Sequence, residues 1–451
     1  VHQSLGQDHE QECKTPVKAS SWDSPAVVCF EKPAPVADCY LEGSEVLTAE
    51  GLASSMAAAA CSVQPWEAGN FALVRKLQDA CGNFGHVDAM SSSSHGGRSV
   101  AVKKMPTKWV TTSAQEFEEK TPRAAERPWL DVGFLWELNR LRYPYTSELL
   151  GIYRDAEKTY IVTSLATEGD LFSWRTQEPA PGPDREALMA PIMTQVFSAV
   201  RWLHDLGLAH RDLSMENILL TDADGHRTPK VKIIDFAMST LSSSLHGEPR
   251  GKVVYRAPEM YEKDPYDPFL ADAFALGIVL FAVAARDYPW ACTKPRQCKS
   301  YDFVAANGWR LFLSQRKLRN GNGKCLIEVF SSSFVELLTG LLELSPARRT
   351  CLGEARVAVQ ADGKTRESAL ESTWILEASD TCESEAASTV ATTTASAPSP
   401  LTSSAAEDVA AFVPEERSSQ RSQGELSPGC QAKKTSKEVL EVKGDASHSS
   451  F

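Results

Sequence analysis

Between residues 71 and 104, apolar and polar positions alternate in three short runs, 71–79, 86–90 and 99–104, which is the period of half-buried strands. Small residues punctuate the first turn, and the Ser/Gly-rich residues 91–97 read as a flexible hairpin tip. A polar stretch at 106–128 reads as an insertion, after which the period lengthens to that of a helix at 130–141. Residues 160–165 make one more buried strand. Helical spacing then dominates: within 185–205, Leu188, Ile192, Val196, Val200 and Leu203 recur three or four residues apart. Short strands follow at 217–220 and 230–234. The pattern predicts an α+β fold, a small β-rich lobe followed by a larger helical one.

Outside this stretch the periodicity fails. Residues 1–69 and 377–451 mix Ser, Pro, Ala, Thr and acidic residues, the composition of disordered flanks around a domain at 70–376. Charge sharpens the division. Residues 1–69 carry 10 acidic and 3 basic side chains and residues 377–451 carry 12 and 6, so the flanks account for the whole net charge of −12. The near-neutral middle presents no basic face for nucleic acid or anionic membrane, and neither is expected as a partner. The longest apolar run, residues 275–285, is too short to span a bilayer. The 11 cysteines are scattered without a C-x-x-C pair, which argues against a zinc site or a disulfide framework. With no signal-like start, the chain is expected to be intracellular, in the cytoplasm first and with the nucleus open; because it begins with Val, its native N-terminus stays open too.

Four stretches carry chemistry. Residues 80–87 read Ala-Cys-Gly-Asn-Phe-Gly-His-Val between two strands, and small residues there let backbone amides approach phosphate oxygens. Ala80, Cys81, Gly82, Asn83, Phe84, Gly85 and Val87 are thus phosphate-loop candidates, Cys81 as filler, since no activating base stands beside it. In Val100-Ala101-Val102-Lys103, strand alternation puts Ala101 and Lys103 on one face. Ala101 is small enough to roof an adenine, Lys103 can reach phosphates, and Lys104 points the other way. Residues 210–217, His-Arg-Asp-Leu-Ser-Met-Glu-Asn, place a candidate base, Asp212, five residues before a candidate metal ligand, Asn217. Residues 231–237, Val-Lys-Ile-Ile-Asp-Phe-Ala, are an apolar strand ending in Asp235. Any one of these acids is unremarkable alone; the ordered set of Lys103, Asp212, Asn217 and Asp235 hardly arises by chance.

In that order the stretches resemble the eukaryotic protein kinase family over about residues 71–376: G-x-G-x-x-G-x-V with Ala80 for the first Gly, V-A-I-K, H-R-D-x-x-x-x-N, and D-F-G with Ala237 in the third place. The resemblance implies a two-lobed protein kinase fold that binds ATP and Mg²⁺ and phosphorylates protein Ser or Thr. Asp212 would orient and deprotonate the acceptor hydroxyl, Lys103 position the α- and β-phosphates, and Asn217 and Asp235 hold Mg²⁺, under the cover of residues 80–87. It further implies Thr163 as gatekeeper, backbone groups of Ser164 and Ala166 against adenine, and Asp170 beside the ribose or a basic substrate residue. Asp272 would anchor the catalytic loop and Arg349 would pair with Glu259 of Ala257-Pro258-Glu259. Ser/Thr is preferred to Tyr because Ser-Met-Glu-Asn is nearer the K-P-E-N of Ser/Thr kinases than A-A-R-N, and Glu216 with Asp170 would favour basic residues before the acceptor.

The chain departs from the family pattern in places. The lysine two residues after the catalytic Asp is Ser214, whereas Lys252 stands where a Thr is usual in Gly251-Lys252-Val253-Val254-Tyr255. The two positions are neighbours in the family, so an exchange is expected in which Lys252 supplies the ammonium and Ser214 the hydroxyl, keeping charge where transition-state stabilisation needs it. The acid that should pair with Lys103 is ambiguous. An ungapped count back from Tyr143-Pro144 selects Phe134, with Asp131 and Glu137 about a helical turn to either side; Asp131 is preferred because Leu135 and Leu138 then face inward. Glu248, where many kinases carry an activating phosphate, is placed to pair with Arg211. The alternative reading is a pseudokinase scaffold, motivated by Ser214, Ala80, Ala237 and the ambiguous acid, and opposed by the four retained groups.

Overall fold

Alternation along β4 (Arg98–Pro106) sets the geometry of the small lobe. In the computed structural model, which describes residues 46–222, 228–318, 323–360 and 363–377, Val100 and Val102 turn to one face of the sheet and join Phe71, Met90, Tyr160 and Val162. Ala101, Lys103 and Met105 turn to the other, where Met105 enters a second cluster with Trp129, Val132 and Leu135 of helix α4 (Pro128–Arg140). Lys103 therefore faces α4 because its strand has a two-residue period.

The sheet has six strands, in the order β1 (Gln64–Pro65), β5 (Leu149–Arg154), β6 (Lys158–Ser164), β4, β3 (Gly85–Ser92) and β2 (Phe71–Ala80). Strands β2, β3, β4, β6 and β5 pair antiparallel, with Lys103 opposite Val87 on one side and Ile161 on the other. The large lobe is built on α6 (Pro183–Asp205) and α7 (Pro268–Ala285), which share one apolar core with α10 (Ser332–Leu341). A two-stranded sheet of β7 (Ile218–Thr221) and β8 (Lys230–Ile233) follows residues 210–217 and leads into Asp235.

Three expectations need correction. The segment before residue 70 is structured from residue 46. Thr48 caps α1 (Ala49–Cys61), an Ala-rich helix that lays Leu52, Ser55 and Ala59 inward, and β1 (Gln64–Pro65) pairs parallel with β5. Only residues 1–45 of that predicted flank, and 378–451 of the other, lie outside the described residues. The polar insertion at 106–128 holds two short helices, α2 (Thr107–Val110) and α3 (Ala114–Lys120), whose single buried residues, Val110 and Phe117, are both 1% exposed. One buried residue per turn is too sparse for a periodic signal. Finally, the run at 275–285 is part of the 18-residue α7, long and apolar enough by composition to cross a membrane, yet 94% of it is buried inside the protein. It is a core helix.

Candidate active site

Lys103 Nζ lies 2.7 Å from Asp131 Oδ2 on α4 and 3.4 Å from Asp235 Oδ1. Asp131 is thus the partner; Glu137 turns away to Ser55 and Arg140, and Phe134 is fully buried in the core. The other oxygen of Asp131 accepts the Phe236 N–H at 2.9 Å, so one carboxylate fixes both the lysine and the backbone beside Asp235. Burial by itself would depress the Lys103 ammonium, but Asp131 and then Asp235 outweigh it, and its pKa is raised. For Asp235 burial pushes up most, but Lys103, His210 and the Ala237 N–H together pull down further, leaving a lowered pKa.

The loop carrying Asp212 hangs on Asp272 of α7. Asp272 accepts the His210 N–H at 2.6 Å and the Arg211 N–H at 2.8 Å. Those bonds hold Arg211 at φ 67°, and Asp235 has φ 69°, so non-glycine residues in the left-handed region flank the chemistry on both sides. Asn217 Nδ2 donates to the Asp212 carbonyl at 2.8 Å and to its Oδ2 at 3.0 Å. The Asp212 pKa is raised by burial, then by the charge of Asp235.

From 38 residues downstream, Lys252 reaches back over this loop. Its Nζ donates to Ser214 Oγ at 2.9 Å and pairs with Glu216 at 3.0 Å, while its N–H donates to Asp212 Oδ1 at 3.1 Å. The neighbourhood expected for an exchange of Ser214 and Lys252 is present in the geometry. Arg211 lies 3.5 Å from Glu248 Oε2, as the sequence suggested, and donates to the Glu248 carbonyl at 3.2 Å. Arg349 is wholly buried and grips both oxygens of Glu259, at 2.5 and 2.9 Å.

A profile of the protein kinase domain matches residues 81–360, more than half of the chain. The chain belongs to the protein kinase family. Among curated proteins it is similar to CBL-interacting serine/threonine-protein kinase 13 of Arabidopsis thaliana, with 29% identity over 48% of this chain and 39% of that protein. It is also similar to CBL-interacting protein kinase 29 of Oryza sativa subsp. japonica, 33% identical over 43% and 42% of the two chains. A third relative, the calcium/calmodulin-dependent protein kinase type 1 of Macrobrachium nipponense, is 32% identical over 32% and 40%. The matched stretch thus spans about two fifths of each relative's length.

In this member of the family the loop at residues 80–87 is held from outside by Glu126 and Trp109, neither of which carries a sequence signal. The Asn83 amide donates to Glu126, Trp109 Nε1 donates to Asn83 Oδ1 at 3.3 Å, and Phe84, exposed at the tip, meets the Trp109 ring edge-on at 4.8 Å. A Cβ on Gly82 would meet the Glu126 carboxyl, so with any larger residue there the glutamate side chain would have to move aside. The Glu126 carboxyl thus fills the space beside Gly82, within electrostatic range of Lys103. Burial, and secondarily Asp235, lifts the Glu126 pKa to about 7. No local signal marks Glu126, which precedes α4 in a polar stretch.

Other expected contacts are modified. Strand pairing sets Ala101 opposite Thr163. Ser164 spends its N–H on the Glu148 carbonyl at 2.9 Å, which restricts its backbone contribution at the hinge to the carbonyl. Asp170 caps helix α5 (Leu171–Trp174) by accepting the Ser173 N–H at 2.7 Å, and Glu216 is already paired with Lys252, so neither acid is a free attractor for basic substrate residues.

Proposed function

We propose that this protein is an ATP-dependent protein serine/threonine kinase. The observation that carries the reading is the Lys103 ammonium, fixed between Asp131 and Asp235, together with Asp212 and Asn217 hydrogen-bonded within one loop. Phosphoryl transfer asks a protein for positioning and electrostatic stabilisation more than for covalent chemistry. Magnesium-bound ATP would supply the phosphoryl group and neutralise its charge. Lys103 orients the nucleotide's phosphates, Asn217 and Asp235 hold the metal, and Asp212 accepts the acceptor hydroxyl's proton. Its raised pKa makes that carboxylate a better proton acceptor than a solvated Asp.

The Lys252 ammonium, bonded to Ser214, returns the positive charge that Ser214 removed from the catalytic loop. The names of the relatives favour Ser/Thr acceptors, and the comparisons lend the pseudokinase alternative no support. Radiolabelled ATP with a generic protein acceptor and Mg²⁺ or Mn²⁺, wild type beside Asp212→Asn, tests the proposal. Label is expected on Ser and Thr with the wild type alone; no transfer by the wild type under either metal would favour the scaffold.

A further inference from the structure

Asp131 sits on α4, so whatever fixes α4 fixes the Lys103–Asp131 pair. A segment outside the nucleotide cleft covers that helix. The Leu47 N–H donates to the Leu206 carbonyl at the end of α6 at 2.8 Å, anchoring the segment to the large lobe. Helix α1 then lies along α4. Ser55 Oγ donates to Glu137 Oε2 at 2.7 Å in a buried contact, and Leu52 and Met56 press so closely on Gly133 that a Cβ there would strike Met56 Cγ. Ala59 is buried in the same cluster as Val132 and Leu135. Beyond α1 the Trp66 N–H donates to the Arg154 carbonyl at 2.9 Å, and its ring stacks on Tyr160 at 3.9 Å and on Phe71 at 4.2 Å.

The segment is therefore fastened at three places: the large lobe, α4 and the edge of the sheet. Gly133 and Glu137 lie one turn apart on α4, and holding both fixes the helix in rotation and along its axis. A slip of one residue turns a helix by about 100° and advances it about 1.5 Å, enough to carry Asp131 out of hydrogen-bond reach of Lys103.

We infer that residues 47–66 are an internal strap that holds α4 in its Lys103-paired position, with Leu52, Ser55 and Met56 as positioning residues for phosphoryl transfer. The inference rests on the kinase reading, and its test separates the two. In the full chain, Ser55→Asp sets a second carboxylate against Glu137. Expected are a kcat reduced about tenfold or more with the KM for the protein acceptor unchanged, and faster amide exchange in α4.

A Met56→Cys/Gly133→Cys pair supplies the rescue, because a Cβ built on Gly133 lies 3.6 Å from Met56 Cβ, within disulfide range. Oxidation of that pair in the Ser55→Asp background, with the bond mapped by mass spectrometry because Cys61 and Cys81 are also exposed, is expected to restore both kcat and slow exchange. If Ser55→Asp does not fold, Ser55→Ala replaces it, with an expected loss of about threefold and the same rescue. A folded Ser55 variant with wild-type kcat and wild-type exchange overturns the strap, as does a lock that forms without restoring either. An inactive wild type sinks the kinase reading alone, and α4 exchange still decides the strap.

Discussion

Lys252 and Glu126 are the two side chains whose placement most alters the chemistry of the cleft, with opposite signs. Lys252 brings an ammonium to Ser214, so Lys252→Ala should lower kcat by about 10²-fold, the cost of removing one positioned electrostatic donor. The reversed pair, Ser214→Lys with Lys252→Thr, should recover most of that loss, and steady-state kinetics on the three proteins would check it; a folded Lys252→Ala of unchanged rate would refute the exchange. Glu126 brings a carboxyl group onto the loop at residues 80–87, which in its ionised form would repel a triphosphate. Glu126→Gln keeps an oxygen for Asn83 and removes the charge, and should lower the apparent KM for ATP several-fold, about 1 kcal/mol. An unchanged KM would mean that the carboxylate leaves the loop whenever nucleotide enters.

At the scale of elements, the activation segment arrives already fastened. Glu248 meets Arg211, Arg250 lies 3.7 Å from the same carboxylate, and Tyr266 OH donates to the Glu248 carbonyl at 2.9 Å. A fixed carboxylate at that place does part of what a phosphate would do. Phosphatase-treated protein is therefore expected to keep its activity, and Glu248→Gln to lower it a few-fold; loss of activity on dephosphorylation would count against this. Most elements were legible because they obey a simple period: β4, α4 and α6 lie within two residues of the spans read from sequence. Helix α1 was also within reach, since Thr48 precedes Leu52, Ser55, Met56 and Ala59 at helical spacing, but its Ala/Ser composition reads as a disordered flank. Helices α2 and α3 are too short to carry a period.

For the whole molecule, stability and the site share one buried contact. His204 on α6 is wholly buried, with Nδ1 2.9 Å from Glu354 and Nε2 3.2 Å from Asp272, the residue that anchors the catalytic loop. Burial lowers its pKa, but the hydrogen bonds to Asp272 and Glu354 raise it further, to about 9. The folded state therefore favours the imidazolium relative to an unfolded histidine near about 6.5. Its stabilisation is complete below that value and is lost as pH rises through about 9. The melting midpoint should fall by several degrees over that window, and the slope should flatten in His204→Gln; equal slopes by calorimetry would remove His204 as the cause. The sequence by itself determined the two lobes, their order and the candidates Lys103, Asp212, Asn217 and Asp235, because period and motif are written among near neighbours. Only the tertiary structure decided that Asp131 pairs with Lys103, that Lys252 meets Ser214, that Ser55 reaches Glu137 across 82 residues, and that Glu126 covers the phosphate loop. One residue of uncertainty on a helix turns a side chain through about 100°, and contacts between distant segments depend on how whole elements pack, which no local pattern records.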